Sequence, residues 1–435
     1  ERTGIADFFI NIANALVGRF SGGPAKVAVV ASAMEGMVSG SSVANTVGSG
    51  AVTIPLMKRT GYKPEFAAAA EASASTGGQI MPPIMGAAAF LMVEYSGFAY
   101  GSIALRAILP AALYFIGIFL MVHLEAKKLG LRGIPKEELP NFFKLVLKKG
   151  YLLIPLIVLV ALLSSKTITF AAIVAIGVAI LVSMFHKDTR INYTKFVDAL
   201  ETAAKNVLTV GIACAVAGIV ACVITTTGIG NQLISLIVGA SGGHKIIALF
   251  LTMLTCIVLG MGVPTTANYV IMATTCAPIL IEMGIPGLAA HMFVFYFGIV
   301  ADITPPVALA AYAGAAIAKA DPMKTGVNAT KLAIAAFIVP YIFALNPAML
   351  FIETNAWEVI QIVITSVVGM FGVSMGLEGY CVKHLNPIFR IVSVIAGLLL
   401  IYPGTLTDII GIVIIALIIA EQIITTRNKN TAVEA

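Results

Sequence analysis

Long apolar runs alternate along the chain with short clusters of Gly, Pro, Ser, Thr and Asn, and several of the runs are too short to cross a bilayer. Residues 3–18, TGIADFFINIANALVG, repeat Ile5, Phe8, Phe9, Ile12 and Leu16 at three- and four-residue spacing, which predicts an amphipathic helix. After SGGP the run from Ala25 to Val38 gives about 21 Å of helix at 1.5 Å per residue, against a hydrocarbon core of roughly 30 Å. SGSS breaks it, and Val43 to Met57 leads to a basic turn at Lys58 and Arg59. The pair reads as a re-entrant helical hairpin with its polar tip at membrane depth. Residues 65–79 and 83–97, divided by the Gly and Pro pairs around Gln79, read as one broken span.

Further apolar runs lie at 102–124, 150–165, 168–185 and 203–226. The punctuation then returns. An amphipathic segment at 227–243 precedes a second hairpin, 245–260 and 263–281, and a second broken span, 287–302 and 305–319. Spans follow at 325–345, 356–376, 386–403 and 409–424. Ala44-Asn45 matches Ala267-Asn268, Pro55 matches Pro278, Gly61 matches Gly284, and Pro82-Pro83 matches Pro305-Pro306, all at an offset of 223 residues. Apolar similarity by chance does not hold register through Gly, Pro and Asn, so the two stretches are repeats. The reading counts five crossings between the hairpins, an odd number, which turns the second copy upside down.

The pattern thus predicts an all-α polytopic membrane protein with an inverted-topology repeat, two re-entrant hairpins and two broken helices. Its divisions are an amphipathic arm helix (1–23), a first repeat (24–124), a cytoplasmic loop with scaffold spans (125–226), a second inverted repeat (227–345), and extra spans with a cytoplasmic tail (346–435). Three spans precede the second amphipathic segment and none the first. The expectation is an N-terminally incomplete chain, with at least three further spans in the native protein.

Composition agrees: 59% of the residues are hydrophobic and only 11% charged, with mean hydropathy +0.99, where a soluble domain carries roughly 25% charged residues. The net charge of +6 reads as membrane orientation rather than as nucleic-acid binding. With Lys58 and Arg59 taken as inside, the inner connections at 58–63, 125–149, 186–205, 319–331, 383–390 and 427–429 hold 21 of the 27 Lys and Arg, and Arg2, Arg19 and Lys26 join them. Only Arg106, Lys166 and Lys245 fall outside, which predicts a cytoplasmic C-terminus. The five cysteines show no CxxC spacing and read as packing thiols. His186, His244 and His384 fall in connections, His123 and His291 near span ends, and none is assigned a metal.

Broken helices at membrane depth free backbone carbonyls, and such backbone survives only where protein or a cavity satisfies it. In the first copy the candidate ligands are Ser41, Ser42 and Asn45 at the tip with Gly77, Gly78 and Gln79 at the break. In the second they are Thr265, Thr266 and Asn268 with Asp302 and Thr304. Hydroxyl, amide and carbonyl oxygens in this number suit a hard cation, and nearby half-helix N-termini favour an anion, placing the substrate near Asn45 and Asn268. Packing by Ser, Thr and Asn alone is the plainer alternative. Asp302 suits either Na⁺ or a transported proton, and its counterpart is Gln79. Glu71 and Glu35 also fall at membrane depth, with a structural and a functional role both open. Glu94 reads as solvated near the outer interface and Arg106 as snorkelling. There is no HExxH, no GxxxxGK[ST] and no paired-aspartate motif, so the chain reads as no enzyme and as no ATPase.

SGGPAKVAVVASAMEGMVSGSSVANTVGSGAVTIPLMKRTGY (21–62) and EASASTGGQIMPPIMGAAAF (71–90) closely resemble the large membrane subunit of tripartite ATP-independent periplasmic (TRAP) transporters, in particular the fused permease type that works with TAXI-class binding proteins. The similarity covers about residues 1–345. It implies a sodium-coupled, elevator-type importer of organic anions, usually carboxylates, in the cytoplasmic (inner) membrane. Its partners would be an extracytoplasmic binding protein, a small-subunit-like membrane region and membrane lipids. Carried onto this sequence, the ion sites fall on Ser41, Ser42, Asn45 and the Gly77-Gly78 break, and on Gly262, Thr265, Thr266 and the Asp302–Thr304 break. The coupling ion is expected to be Na⁺ or H⁺, with no other cofactor. A symporter that needs no binding protein, and a passive channel or scaffold subunit, are the alternatives.

Overall fold

A computed structural model describes residues 3–163, 165–185 and 189–434, without the side chains of residue 209 and of 427–434. Arg2, His186 and the basic side chains at 427–429 lie outside the described residues. The described residues are mostly helical, and among them six helices are long and apolar enough to cross a membrane.

The amphipathic helix α1 (Ile5–Val17) is followed by α2 (Gly23–Ser39), which opens with Pro24 in its first turn, where a missing N–H costs nothing. α2 ends at Gly40, whose φ of 64° lets the chain reverse. Ser41 then caps α3 (Ser42–Arg59), accepting from the Ala44 N–H at 3.3 Å, and Lys58 and Arg59 close α3 where its dipole favours cations. α2 and α3 are the first hairpin. The broken span is α4 (Pro64–Gly78) and α5 (Gly86–Ser96), and the long α6 (Tyr100–Lys128) follows it. Every residue of α4 from Phe66 to Gly78 is buried, between α2 and α3 on one side and the second repeat on the other.

A short α7 (Phe142–Lys149) leads to α8 (Ile154–Leu163), α9 (Ile168–Ser183) and α10 (Tyr193–Thr227), whose surfaces are largely exposed. The second copy then runs α11 (Ile229–Ser241), α12 (Lys245–Gly260), α13 (Thr265–Thr275), α14 (Ala277–Glu282), α15 (Gly287–Val300), α16 (Leu309–Ala318), α17 (Pro322–Leu332) and α18 (Ile334–Leu345). Two expected elements are divided. The limb expected at 263–281 breaks at Cys276, with Pro278 in the first turn of α14, although the matching Pro55 lies inside α3. The span expected at 325–345 interrupts at Ala333. Backbone conformation repeats with the sequence: Gly22 and Gly242 both have positive φ, as do Met85 and Ala308, 223 positions apart.

The last three helices are α19 (Ala356–Glu378), α20 (Pro387–Leu399) and α21 (Thr405–Glu434). As regular helices α9 and α20, of 16 and 13 residues, are shorter than the spans expected there. Cys256 and Cys276 are packing thiols, whereas Cys222 is exposed on α10.

α19 packs on α6, and its last residue, Glu378, has a side chain 1% exposed that pairs with Lys331 at 2.9 Å and Lys128 at 3.8 Å. Removing a buried partner strands the other charges, but these lysines are about one-third exposed and can rehydrate. Glu378→Ala is therefore expected to destabilise the protein by about 1–2 kcal/mol. Thermal unfolding in detergent checks this; an unchanged midpoint would count against the pairing.

Candidate functional site: helix breaks at membrane depth

The two copies meet at their breaks. Ser42, the first residue of α3, donates its hydroxyl to Oδ2 of Asp302 at 2.5 Å, across 260 positions of sequence. Gln79, the counterpart of Asp302, lies buried against the same carboxylate, yet neither its Nε2 nor its Oε1 has an ordinary hydrogen-bond partner. The first hairpin tip thus touches the second break. Sequence reasoning had assigned Ser42 and Asp302 to separate sites.

Asn45, one turn into α3, donates Nδ2 to the Ser32 carbonyl at 3.0 Å. Only the amide nitrogen can donate to a carbonyl, so this bond fixes which way the side chain faces. Asn268, its repeat partner on α13, does the same to the Gly298 carbonyl at 2.9 Å. Both residues are 1% exposed, and Oδ1 of each has no hydrogen-bond partner. A buried acceptor left unsatisfied costs about 1–3 kcal/mol, and it recurs here at equivalent positions. An amide oxygen held without a donor keeps both lone pairs free to accept. The polar groups around Asn45 are hydroxyl and carbonyl oxygens, the donor type that suits a hard cation such as Na⁺, whereas Met272 packs beside Asn268.

Glycines set how close the backbones come. A Cβ at Gly36 would fall 2.3 Å from Cα of Gly78, so α2 lies directly on the break. The second copy has Ala301 where the first has Gly78, and there the Ala301 methyl sits 3.1 Å from a Cβ built at Gly260. The carbonyls of Gly77 and Gly78 accept turn bonds from Ile80 and Met81 at 3.1 and 3.2 Å, each keeping a second lone pair.

The remaining candidates are placed as follows. Ser41 caps α3, and Gly262, with φ of 73°, turns the exposed second tip. Thr265 and Thr266 open α13, with Thr266 buried. Thr304 donates to the Val300 carbonyl at 2.8 Å. His291 bonds the Tyr269 hydroxyl at 2.9 Å. Sequence reasoning missed Thr76, whose buried Oγ1 has no hydrogen-bond partner beside the break.

It also undervalued Glu71, which is fully buried among Ser32, Ser49, Thr53 and Ser75. The signal was present: Asn45, Ser49 and Thr53 recur every four residues on α3, as do Glu71 and Ser75 on α4.

Residues 1–358 match the family of the tripartite ATP-independent periplasmic transporter, DctM component. The chain belongs to this family: it is a large membrane permease component of a multi-pass membrane transporter, and not an enzyme. It is 28% identical over 320 residues to the C4-dicarboxylate TRAP transporter large permease protein DctM of Pseudomonas aeruginosa, covering 72% of this chain and 73% of that one. It is 24% identical over 312 residues to the sialic acid TRAP transporter large permease protein SiaM of Vibrio cholerae, covering 71% and 72%. To the isethionate TRAP transporter permease protein DctMQ of Oleidesulfovibrio alaskensis it is 24% identical over 322 residues, covering 73% of this chain and 50% of the relative.

Proposed function

We propose that this chain is the transport subunit of a sodium-driven secondary transporter that imports an organic anion, a carboxylate, handed over by an extracytoplasmic binding protein. The matched pair of donorless amide oxygens, Asn45 Oδ1 and Asn268 Oδ1, carries the reading. Each hairpin tip takes one cation, on Ser41, Ser42, Asn45 and the Gly77–Gln79 break in the first copy and on Gly262, Thr265, Thr266, Asn268 and the Asp302–Thr304 break in the second, and the two sites adjoin where Ser42 bonds Asp302. Two positive charges between facing half-helix ends offset the charge of a bound anion. The relatives' names, C4-dicarboxylate, sialic acid and isethionate, support an anionic organic substrate.

Hairpins and broken helices move as one body past α8–α10, in a cytoplasmic membrane with the C-terminus inside. A TAXI-class binding protein and a small-subunit-like membrane region are the partners. The test is uptake of radiolabelled carboxylates by proteoliposomes of the full-length transporter with its binding protein. The expected result is accumulation driven by an inward Na⁺ gradient. Uptake indifferent to every imposed Na⁺ and H⁺ gradient overturns the reading, and uptake without the binding protein removes that partner.

A further inference from the structure

We propose that Glu71 is a proton-binding site that gives up its proton when a cation occupies the first hairpin tip. The inference rests on the cation reading of Asn45 and extends it to a group outside that site.

Glu71 is 0% exposed, and among the described residues no lysine, arginine or histidine lies within ion-pair distance of it. An ionised carboxylate taken to membrane depth without a cation is strongly disfavoured. What surrounds it is hydroxyl. Oε1 lies 2.5 Å from Ser32 Oγ, 2.5 Å from Ser49 Oγ and 3.3 Å from Ser75 Oγ, and Oε2 lies 2.5 Å from Thr53 Oγ1. Each hydroxyl has one hydrogen to give. Ser49 Oγ is also 2.8 Å from the Asn45 carbonyl, and Thr53 Oγ1 is 3.1 Å from the Ser49 carbonyl, the usual back-bonds of helical Ser and Thr. If those two hydrogens serve the backbone, the short Thr53–Oε2 contact needs a hydrogen from Glu71 itself. A protonated Glu71 supplies that hydrogen from Oε2, and only Ser49 is left to share its one hydrogen, between the Asn45 carbonyl and Oε1.

The elements packed against α4 bring a second carboxyl, Glu35, and neutral contacts. α2 brings Ser32, with Glu35 one turn away against Gly48 of α3. α16 brings Ile317, α17 offers the Ala329 carbonyl to Ser73, and Tyr114 of α6 donates to the Ser73 carbonyl.

A cage that merely packed the fold would be needed twice, and it exists once. At an offset of 223 residues Glu71, Ser49, Thr53 and Ser75 become Val294, Met272, Cys276 and Gly298, and Met272 Sδ there lies 3.3 Å from a Cβ built at Gly298. Ser32 becomes Thr255, whose hydroxyl bonds the Leu251 carbonyl, so the second copy keeps one hydroxyl there and no carboxyl.

The link to the tip is direct. Ser32 holds Asn45 Nδ2 on its carbonyl and Glu71 on its hydroxyl, while Ser49 divides its one hydrogen between the Asn45 carbonyl and Glu71. When Glu71 ionises, Ser49 turns its hydrogen to the carboxylate and lets go of the Asn45 carbonyl, while Ser32 holds both the carboxylate and the Asn45 amide. One cation enters, one proton leaves to water, and the charge of the region is unchanged.

The test is the Na⁺ concentration that half-saturates thermal stabilisation of the purified full-length protein, measured across pH with choline replacing Na⁺. One-for-one exchange predicts up to about a tenfold fall per pH unit in the wild type and none in Glu71→Gln. Infrared difference spectra of the same samples should show a protonated-carboxyl band that Na⁺ abolishes and Glu71→Gln lacks. Should Glu71→Gln fail to fold, Ser49→Ala takes its place, keeping the band and weakening its response to Na⁺. Equal pH slopes in wild type and variant, or a band that ignores Na⁺ in a protein that Na⁺ stabilises, overturn the proposal and leave the cation reading standing. A wild type that Na⁺ does not stabilise at any pH overturns both.

Discussion

Asn45→Ala and Asn268→Ala are each expected to weaken Na⁺-driven accumulation sharply while leaving a folded protein with measurable uptake at high Na⁺. Each removes one anchored amide oxygen, Oδ1, that has no other partner. A ligand bond to a charge is worth about 1.5–3 kcal/mol, so one cation binds roughly 10–100-fold more weakly. The two losses are separable because the residues sit in different hairpins, anchored on Ser32 and on Gly298. Each single variant should therefore keep one cation site, and its Na⁺ dependence should fall from a steep to a hyperbolic curve. The measurement is uptake against Na⁺ in proteoliposomes, with Na⁺-dependent thermal stabilisation as the control for folding. The alanines also lose the Nδ2 bond, which lowers stability with and without Na⁺ alike. Only the Na⁺-dependent increment reports the ligand. A wild-type Na⁺ curve in both variants would reduce the asparagines to packing residues.

The helix breaks were legible because Gly, Pro and Asn at membrane depth have few other uses, and because the same punctuation returns in register 223 residues later. The caps were not singled out in the sequence, although Ser41, Gly22 and Gly242 do locally what their residue types do anywhere. What sequence could not supply is which breaks face each other. Periodicity places a side chain on a face of its own helix and carries nothing about a helix 260 positions away, so the Ser42–Asp302 contact was invisible. The split at Cys276 was hidden for another reason. Pro55 and Pro278 match in sequence, yet only the second ends a helix, because surrounding packing decides whether the chain bends at a missing N–H. Glu71 was legible as a polar stripe, but its enclosure by two limbs of a hairpin was not.

The other large effect is expected from a single methyl group. Gly36→Ala places a Cβ 2.3 Å from the Cα of Gly78, and the obstacle is backbone, which cannot rotate away as a side chain would. Overpacking of this kind costs about 1–3 kcal/mol, and α2 relieves it by lifting off the break. The same Cβ falls 3.1 Å from Asn45 Nδ2, so the shift disturbs the anchored amide as well. Uptake is expected to drop by at least about tenfold, because a 1.4 kcal/mol change in the geometry that binds the cation is already a factor of ten. The second copy supplies the comparison. Its hairpin already stands off by the Ala301 methyl, and Ala301→Gly only opens space there. That variant should retain most of its uptake, whereas Gly36→Ala should lose both uptake and Na⁺-dependent stabilisation. Equal uptake in the two variants would mean that close contact between the first hairpin and its break is not what holds Asn45 in place.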